Sequence, residues 1–289
     1  MPSMKAIKRR IVSVKNTKQI MKAMNLVAAS KVQKFKTRME AVRPMFTGAE
    51  EFLDKGIFAP EGSDSAYLAS NSRPVENVAY VIISGERGLC GSYNANIFKT
   101  AMAHMDQLEG QVKDQHVVAV GARCKEYFVR RNKRVVANHA GVLENVPFSV
   151  AEGIARELCG MFNSEDPETR IDEVYIAYTK FESLLSHVPQ VLKLLPFEPK
   201  ATESKVEVIY EPDVDTYLRK AVPVYMAMFI YGAMLESSVC EQAARMTSMD
   251  AAARNADEIV EDLTLQYNRQ RQGAITQEIS EIVGGANAI

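Results

Sequence analysis

Through the first forty-odd residues, core-type positions recur every third or fourth place: Ile7, Ile11, Val14, Lys18, Met21, Asn25, Ala28, Val32, Phe35, Met39, Val42 and Phe46. This is the a/d spacing of a heptad, broken only by Lys18 and Asn25. It predicts a helix from Met4 to about Lys55, roughly 75 Å long at 1.5 Å per residue, with Pro44 loosening it near the end. The far end of the chain repeats the pattern. From Leu235 the stripe passes through Val239, Gln242, Met246, Met249, Ala253, Ala256, Val260, Leu263 and Tyr267, then shifts phase to Ile275, Ile279 and Ile282. A second helix is expected to start between Pro212 and Asp215, where acids suit a first turn, and to run for about 70 residues.

A narrow apolar stripe on a long polar helix is stable only against a partner, and the simplest partner for each helix is the other. Charge agrees. Lys5, Lys8, Arg9, Arg10, Lys15, Lys18 and Lys22 belong to a first helix whose opening forty residues hold one acid, Glu40. Glu241, Asp250, Asp257, Glu258, Glu261 and Asp262 make the last helix acidic. Ala28, Ala29 and Ser30 on one side and Ala251, Ala252 and Ala253 on the other permit close backbone approach. Between the helices, Val78–Ser84, His116–Val120, Arg134–Ala137, Glu173–Thr179 and Lys205–Tyr210 read as strands, with helices over Ala95–Leu108 and Ala122–Arg131. The expected architecture is an α/β central domain plus a long antiparallel two-helix coiled coil formed by the N- and C-terminal helices. Its parts are 1–56, a largely parallel Rossmann-like domain over 75–210, and 211–289, with Gly56 to Pro74 as linker.

Composition narrows the function classes. A 289-residue chain with 47% hydrophobic residues, 25% charged residues and a net charge of −1 is not a disordered chain, and has no global pull toward nucleic acid. No run of about 18 apolar residues is present; the longest candidate, Ala221 to Leu235, contains Pro223 and Gly232, so no membrane span is expected. Cys90, Cys124, Cys159 and Cys240 form no C-x-x-C pair, and His104, His116, His139 and His187 show no i, i+4 spacing. Neither structural zinc nor a disulfide framework is expected.

Three motifs invite chemistry. Gly85-Glu-Arg-Gly88-Leu-Cys-Gly91 follows a strand and precedes a helix, as a phosphate cradle does. Its spacing is not G-x-G-x-x-G, however, and Glu86 opposes an anion; a tight strand-to-helix turn is the plainer reading. Cys90 in that loop is either a reactive thiol near a helix start or a buried small residue, and no partner base marks it. The basic face of the first helix invites a DNA reading. Yet its charges coincide with the heptad instead of preceding it, and an acidic helix stands in the same chain.

Three blocks carry a resemblance. Lys5-Ala-Ile-Lys-Arg-Arg-Ile with Asn16–Met24 and Val27–Lys31, Ser84–Gly91 with Asn94, and Glu241–Asn255 extended by Tyr267–Gln272 and Ile275–Val283 are similar to the γ subunit of F-type ATP synthases, in the same order. The resemblance implies a non-catalytic rotor shaft with no cofactor or metal of its own. Its coil turns inside the hexamer of three α and three β subunits, and its base binds ε and the c ring, with δ, a and b elsewhere in the complex. It implies contacts to β through Lys18, Met21, Lys22, Arg269, Arg271, Gln272 and Thr276, and to the c ring and ε through Tyr210 and Glu211. The uncharged tail from Ile282 to Ile289 then suits a tip turning in an apolar sleeve. No cysteine lies between Asp172 and Asp213, so thiol regulation of the photosynthetic kind is not expected. The setting it implies is the cytoplasmic face of a bacterial membrane, peripheral to it.

Overall fold

The computed structural model describes residues 3–54, 65–69, 73–197, 211 and 213–286, and the side chains of all these but 46, 49–54 and 284–286. Its elements are α1 (Met4–Asp54), β1 (Asn77–Ile83), α2 (Tyr93–Gln107), β2 (Asp114–Val120), α3 (Ala122–Val129), β3 (Arg134–His139), α4 (Phe148–Phe162), β4 (Glu173–Phe181), β5 (His187–Leu195) and α5 (Val214–Ala286). The terminal helices have 51 and 73 residues, several times the globular mean of about 12. Asp213 starts α5 by accepting the Thr216 N–H at 2.8 Å, with Asp215 in the first turn. Contacts divide the chain into two compact units: Met1–Ala29 with Arg245–Ile289, and Ser30–Ala244.

In the first unit the two chain ends pair antiparallel. The Asn25 amide donates to the Met246 carbonyl at 2.8 Å, and Lys18 makes an ion pair with Asp257. Ile7 and Ala28 from α1, with Met249, Ala253, Ala256 and Leu263 from α5, are buried. These are stripe positions of the expected heptads, and Val14, Met21 and Val260 between them are half-buried. Lys18 and Asn25, the two interruptions, both reach polar partners on the companion helix.

The second unit is a five-stranded sheet of order β3-β2-β1-β4-β5, parallel except for the β4–β5 pair. Residues alternate between its faces. Ala79, Val81 and Ile83 of β1 join Val118, Val120, Val174 and Ile176 in a core with α4, Val32 and Phe35 of α1, and Leu218 to Ala243 of α5. Val78, Tyr80 and Ile82 face the other way, onto Ile97, Ala101 and Met105 of α2 and Cys124 and Phe128 of α3. Arg38 of α1 donates to the Val146 carbonyl at 3.0 Å and the Tyr231 hydroxyl at 3.1 Å, tying α1 and α5 to one loop. Helix α5 contains an 18-residue window whose mean hydropathy would suit a membrane span, and 67% of it is buried in the chain's own core.

The expected strand over Lys205–Tyr210 lies outside the described residues, as does most of the stretch from Gly56 to Pro74. Two elements were not anticipated. Helix α4 holds Gly153 and Gly160, which dilute a helical pattern, and β5 holds Pro189, which marks an edge strand.

Candidate functional site

In open α/β sheets the ligand crevice lies beyond the carboxyl ends of the strands, where successive connections leave in opposite directions. Here that point falls between β1 and β4, and the glycine loop rises from β1 beside it. The crevice is filled by the chain itself. Glu241 of α5, only 3% exposed, accepts the N–H groups of Glu86 at 3.3 Å and Arg87 at 3.4 Å. The Gly85 N–H donates to Asn94 Oδ1 at 2.7 Å. A Cβ on Gly85 would stand 3.0 Å from both Glu241 Cδ and Asn94 Oδ1, so glycine is what lets the carboxylate in. Glu86 is committed as well, taking the N–H groups of Ala122 at 3.0 Å, Gly141 at 2.8 Å and Leu143 at 3.0 Å. Gly121, with φ of +95°, crosses so near that a Cβ would lie 2.5 Å from the Ser84 carbonyl oxygen.

Helix α5 also caps the strand ends. Beyond the last β1 partner of β4, Ala177, the Thr179 N–H donates to Ser237 Oγ at 3.3 Å and the Phe181 N–H to Glu236 Oε2 at 3.4 Å. The Tyr93 hydroxyl donates to the Ser237 carbonyl at 3.0 Å, and the Cys240 thiol to the Thr179 carbonyl at 3.5 Å. A phosphate entering this crevice would meet two carboxylates already holding the amides it needs, so the loop is a fastened turn and not a cradle. In the sequence Glu241 stands among Glu236, Ser237, Ser238, Gln242 and Arg245, and nothing in that pattern singles it out.

Thiol chemistry finds no support. Cys90 is buried, its thiol directed at the Arg87 carbonyl and accepting from Asn94. Burial pushes the Cys159 thiol up to about 11 and lifts Cys124 and Cys240 strongly as well, so these three stay protonated near neutrality. Among the described residues, no group of three or more His, Cys, Asp and Glu side chains could hold a metal ion.

The residues expected to touch partners fall elsewhere. Lys18 is half-buried and engaged with Asp257, so it faces the companion helix. Met21 is half-buried and Lys22 exposed beside it. Arg269, Arg271, Gln272 and Thr276 are exposed, the Thr276 hydroxyl donating back to the Gln272 carbonyl at 2.9 Å. The two groups do not converge. Arg269 lies about a dozen residues, roughly 18 Å, beyond the Lys18–Asp257 level along α5. The register of the pair puts the start of α1 about level with residues 267–271 of α5, and the stripe that follows is uncovered, with Ile275 47%, Ile279 56% and Ile282 72% exposed. Glu211 is exposed, and Tyr210 lies outside the described residues.

A family model described as ATP synthase matches residues 3–289. The ATP synthase gamma chain of Desulforamulus reducens is 40% identical over 292 residues, covering all of both chains. The gamma chain of Acetobacterium woodii, named as sodium ion specific, is 37% identical over 98% of this chain and 97% of its own length. Among solved structures, the Euglena gracilis mitochondrial ATP synthase, in a structure holding F1 and the c-ring, superposes with a TM-score of 0.69 at 17% identity, covering 99% of this chain and 94% of the matched one. A central-stalk and c-ring structure from Tetrahymena thermophila gives 0.59 at 23% identity, over 81% of this chain and 99% of the other.

Proposed function

The chain belongs to the ATP synthase gamma-chain family, and from that premise we propose that it is the central rotor shaft of an F-type ATP synthase. It couples ion-driven rotation of a c ring to the conformational cycle of the catalytic β subunits. The observation that carries this reading is the helical pair made by the two chain ends, in which α5 continues past the start of α1 with an uncovered apolar stripe. An apolar stripe seated in an apolar sleeve is held in place without being fixed at one angle. The polar sides of the shaft then give each β subunit a different face at each angle, and differential contact is what shifts a conformational equilibrium. By linkage, ATP hydrolysis in β turns the shaft backward.

Catalysis belongs to β, and this chain supplies no reacting group. Its partners are the α3β3 hexamer, ε and the c ring, with δ, a and b completing the complex. Arg269, Arg271, Gln272 and Thr276 on the free side of α5, with Met21 and Lys22 of α1, form the β contact. Glu211 and Tyr210 belong to the foot that meets the c ring and ε. Lys18 supports the pair from within. The complex sits at the cytoplasmic face of a bacterial membrane, with this chain peripheral to it.

The test is co-purification. With a tag in an exposed loop of the α/β unit, a mild-detergent membrane extract is expected to yield α, β and ε with ATPase activity. Recovery of a free homo-oligomer that binds NAD, or of nucleic acid, would overturn the shaft reading.

A further inference from the structure

The crevice between β1 and β4 is the place where this fold offers a ligand site, and α5 occupies it with polar side chains rather than apolar ones. Ser237 and Glu241 stand four residues apart on one face of the helix, and Glu236 and Cys240 repeat the spacing on the adjacent face. Both rows bond to backbone groups of the sheet or its loops: Glu241 to Glu86 and Arg87, Ser237 to Thr179, Glu236 to Phe181, Cys240 to Thr179. A buried carboxylate is costly unless its oxygens are well paired, and apolar residues of equal volume often serve stability as well or better. What the carboxylate adds is direction. Apolar packing tolerates sliding and rotation, whereas hydrogen bonds weaken steeply as their angles open.

The clamp extends past the loop. Glu86, held by its own N–H to Glu241, passes its side chain to Ala122, Gly141 and Leu143, and so reaches the turns that follow β2 and β3. Gly85 and Gly121 remove the two methyl groups that would keep these segments apart. One helix carboxylate is therefore the first link of a hydrogen-bonded chain across the carboxyl edge of β1, β2 and β3.

We propose that Glu241 is a positioning residue for rotary coupling: its carboxylate locks the Ser84–Gly91 loop, and through it the sheet, to α5, so that twist applied to the α/β unit turns the helix without slip. This rests on the shaft reading. The test compares Glu241→Gln, which keeps one acceptor oxygen, with Glu241→Ala in the membrane-bound complex. One readout is the number of ions pumped per ATP hydrolysed; the other is hydrogen exchange at the Glu86 and Arg87 amides. Glu241→Ala is expected to speed exchange at both amides by about tenfold or more and to lower ions pumped per ATP by about twofold or more, with Glu241→Gln between it and the parent. Faster exchange with an unchanged pumping ratio would reduce the clamp to a fold-stabilising contact and overturn the proposal. Unchanged exchange would overturn it too. If Glu241→Ala fails to assemble, Glu241→Gln decides on the same two readouts. A chain recovered with no ATP-hydrolysing ring defeats the shaft reading separately, while amide exchange on that chain still reports whether the clamp holds.

Discussion

Asp172 has no exposed side-chain surface and still keeps its charge. Burial alone would push its carboxyl up. The Asn77 and Glu76 N–H groups, each 3.0 Å from Oδ2, and the Arg73 guanidinium at 2.7 Å outweigh that and hold it below the usual carboxylate range. A carboxyl depressed by folding contributes stability that is present above its unfolded value near 3.9 and is lost as pH falls through the lower folded one. Asp172→Asn is expected to cost about 2–4 kcal/mol near neutral pH, and to flatten the fall of the melting temperature between about pH 5 and 2. His116 pulls the same way by a different route. It is buried in β2, neither ring nitrogen finds a partner among the described residues, and burial lowers its pKa below the ordinary 6.5. The neutral form is the one the fold accepts, so its contribution is present above pH 6.5 and shrinks below it. His116→Leu should leave stability near pH 8 within about 1.5 kcal/mol and gain on the parent as pH drops to about 5, read from melting at the two pH values.

At the scale of elements, the two long helices were legible because the heptad survives its own interruptions. Lys18 and Asn25 look like errors in an apolar stripe, and the structure shows them reaching across it, to Asp257 and to the Met246 carbonyl. A double-mutant cycle on Lys18 and Asp257, read by thermal melting, should give a coupling of only about 0.2–1 kcal/mol, because the Asp257 side chain is more than half exposed. A coupling above that range would mean the pair is far better desolvated than its exposure indicates. The central sheet was legible strand by strand where β-branched runs are buried on both faces, as in β1 and β2. It was not legible where a breaker residue sits at a place that tolerates it. Pro189 costs β5 nothing on its unpaired side, and Gly153 and Gly160 of α4 have nothing within 4 Å of the Cβ each lacks. The glycine loop was legible as a strand-to-helix turn from its spacing together with Glu86, whose charge opposes an anion. Glu241 was visible only as one acid among several, because its partners are backbone amides from 154 and 155 residues earlier, which leave no trace in side-chain pattern.

Two apolar stretches of the chain meet opposite fates. The sheet and its helices enclose Val78 to Ile83 completely, while Ile275, Ile279, Ile282 and Val283 remain exposed at the end of α5. An exposed stripe of that kind marks a surface meant for another molecule, and in isolation it is an aggregation liability. Removing residues 275–289 is therefore expected to raise the soluble yield of the chain made alone, measured by light scattering at matched concentration, while lowering the ATPase activity recovered with α and β. If truncation leaves self-association unchanged, the stripe is not the adhesive surface. The same feature bears on supply. A copy made before its hexamer exists, or in excess of it, presents that stripe to whatever is nearby, so orphan copies become substrates for chaperones and proteases. Production of this chain thus has to be proportioned to that of α and β.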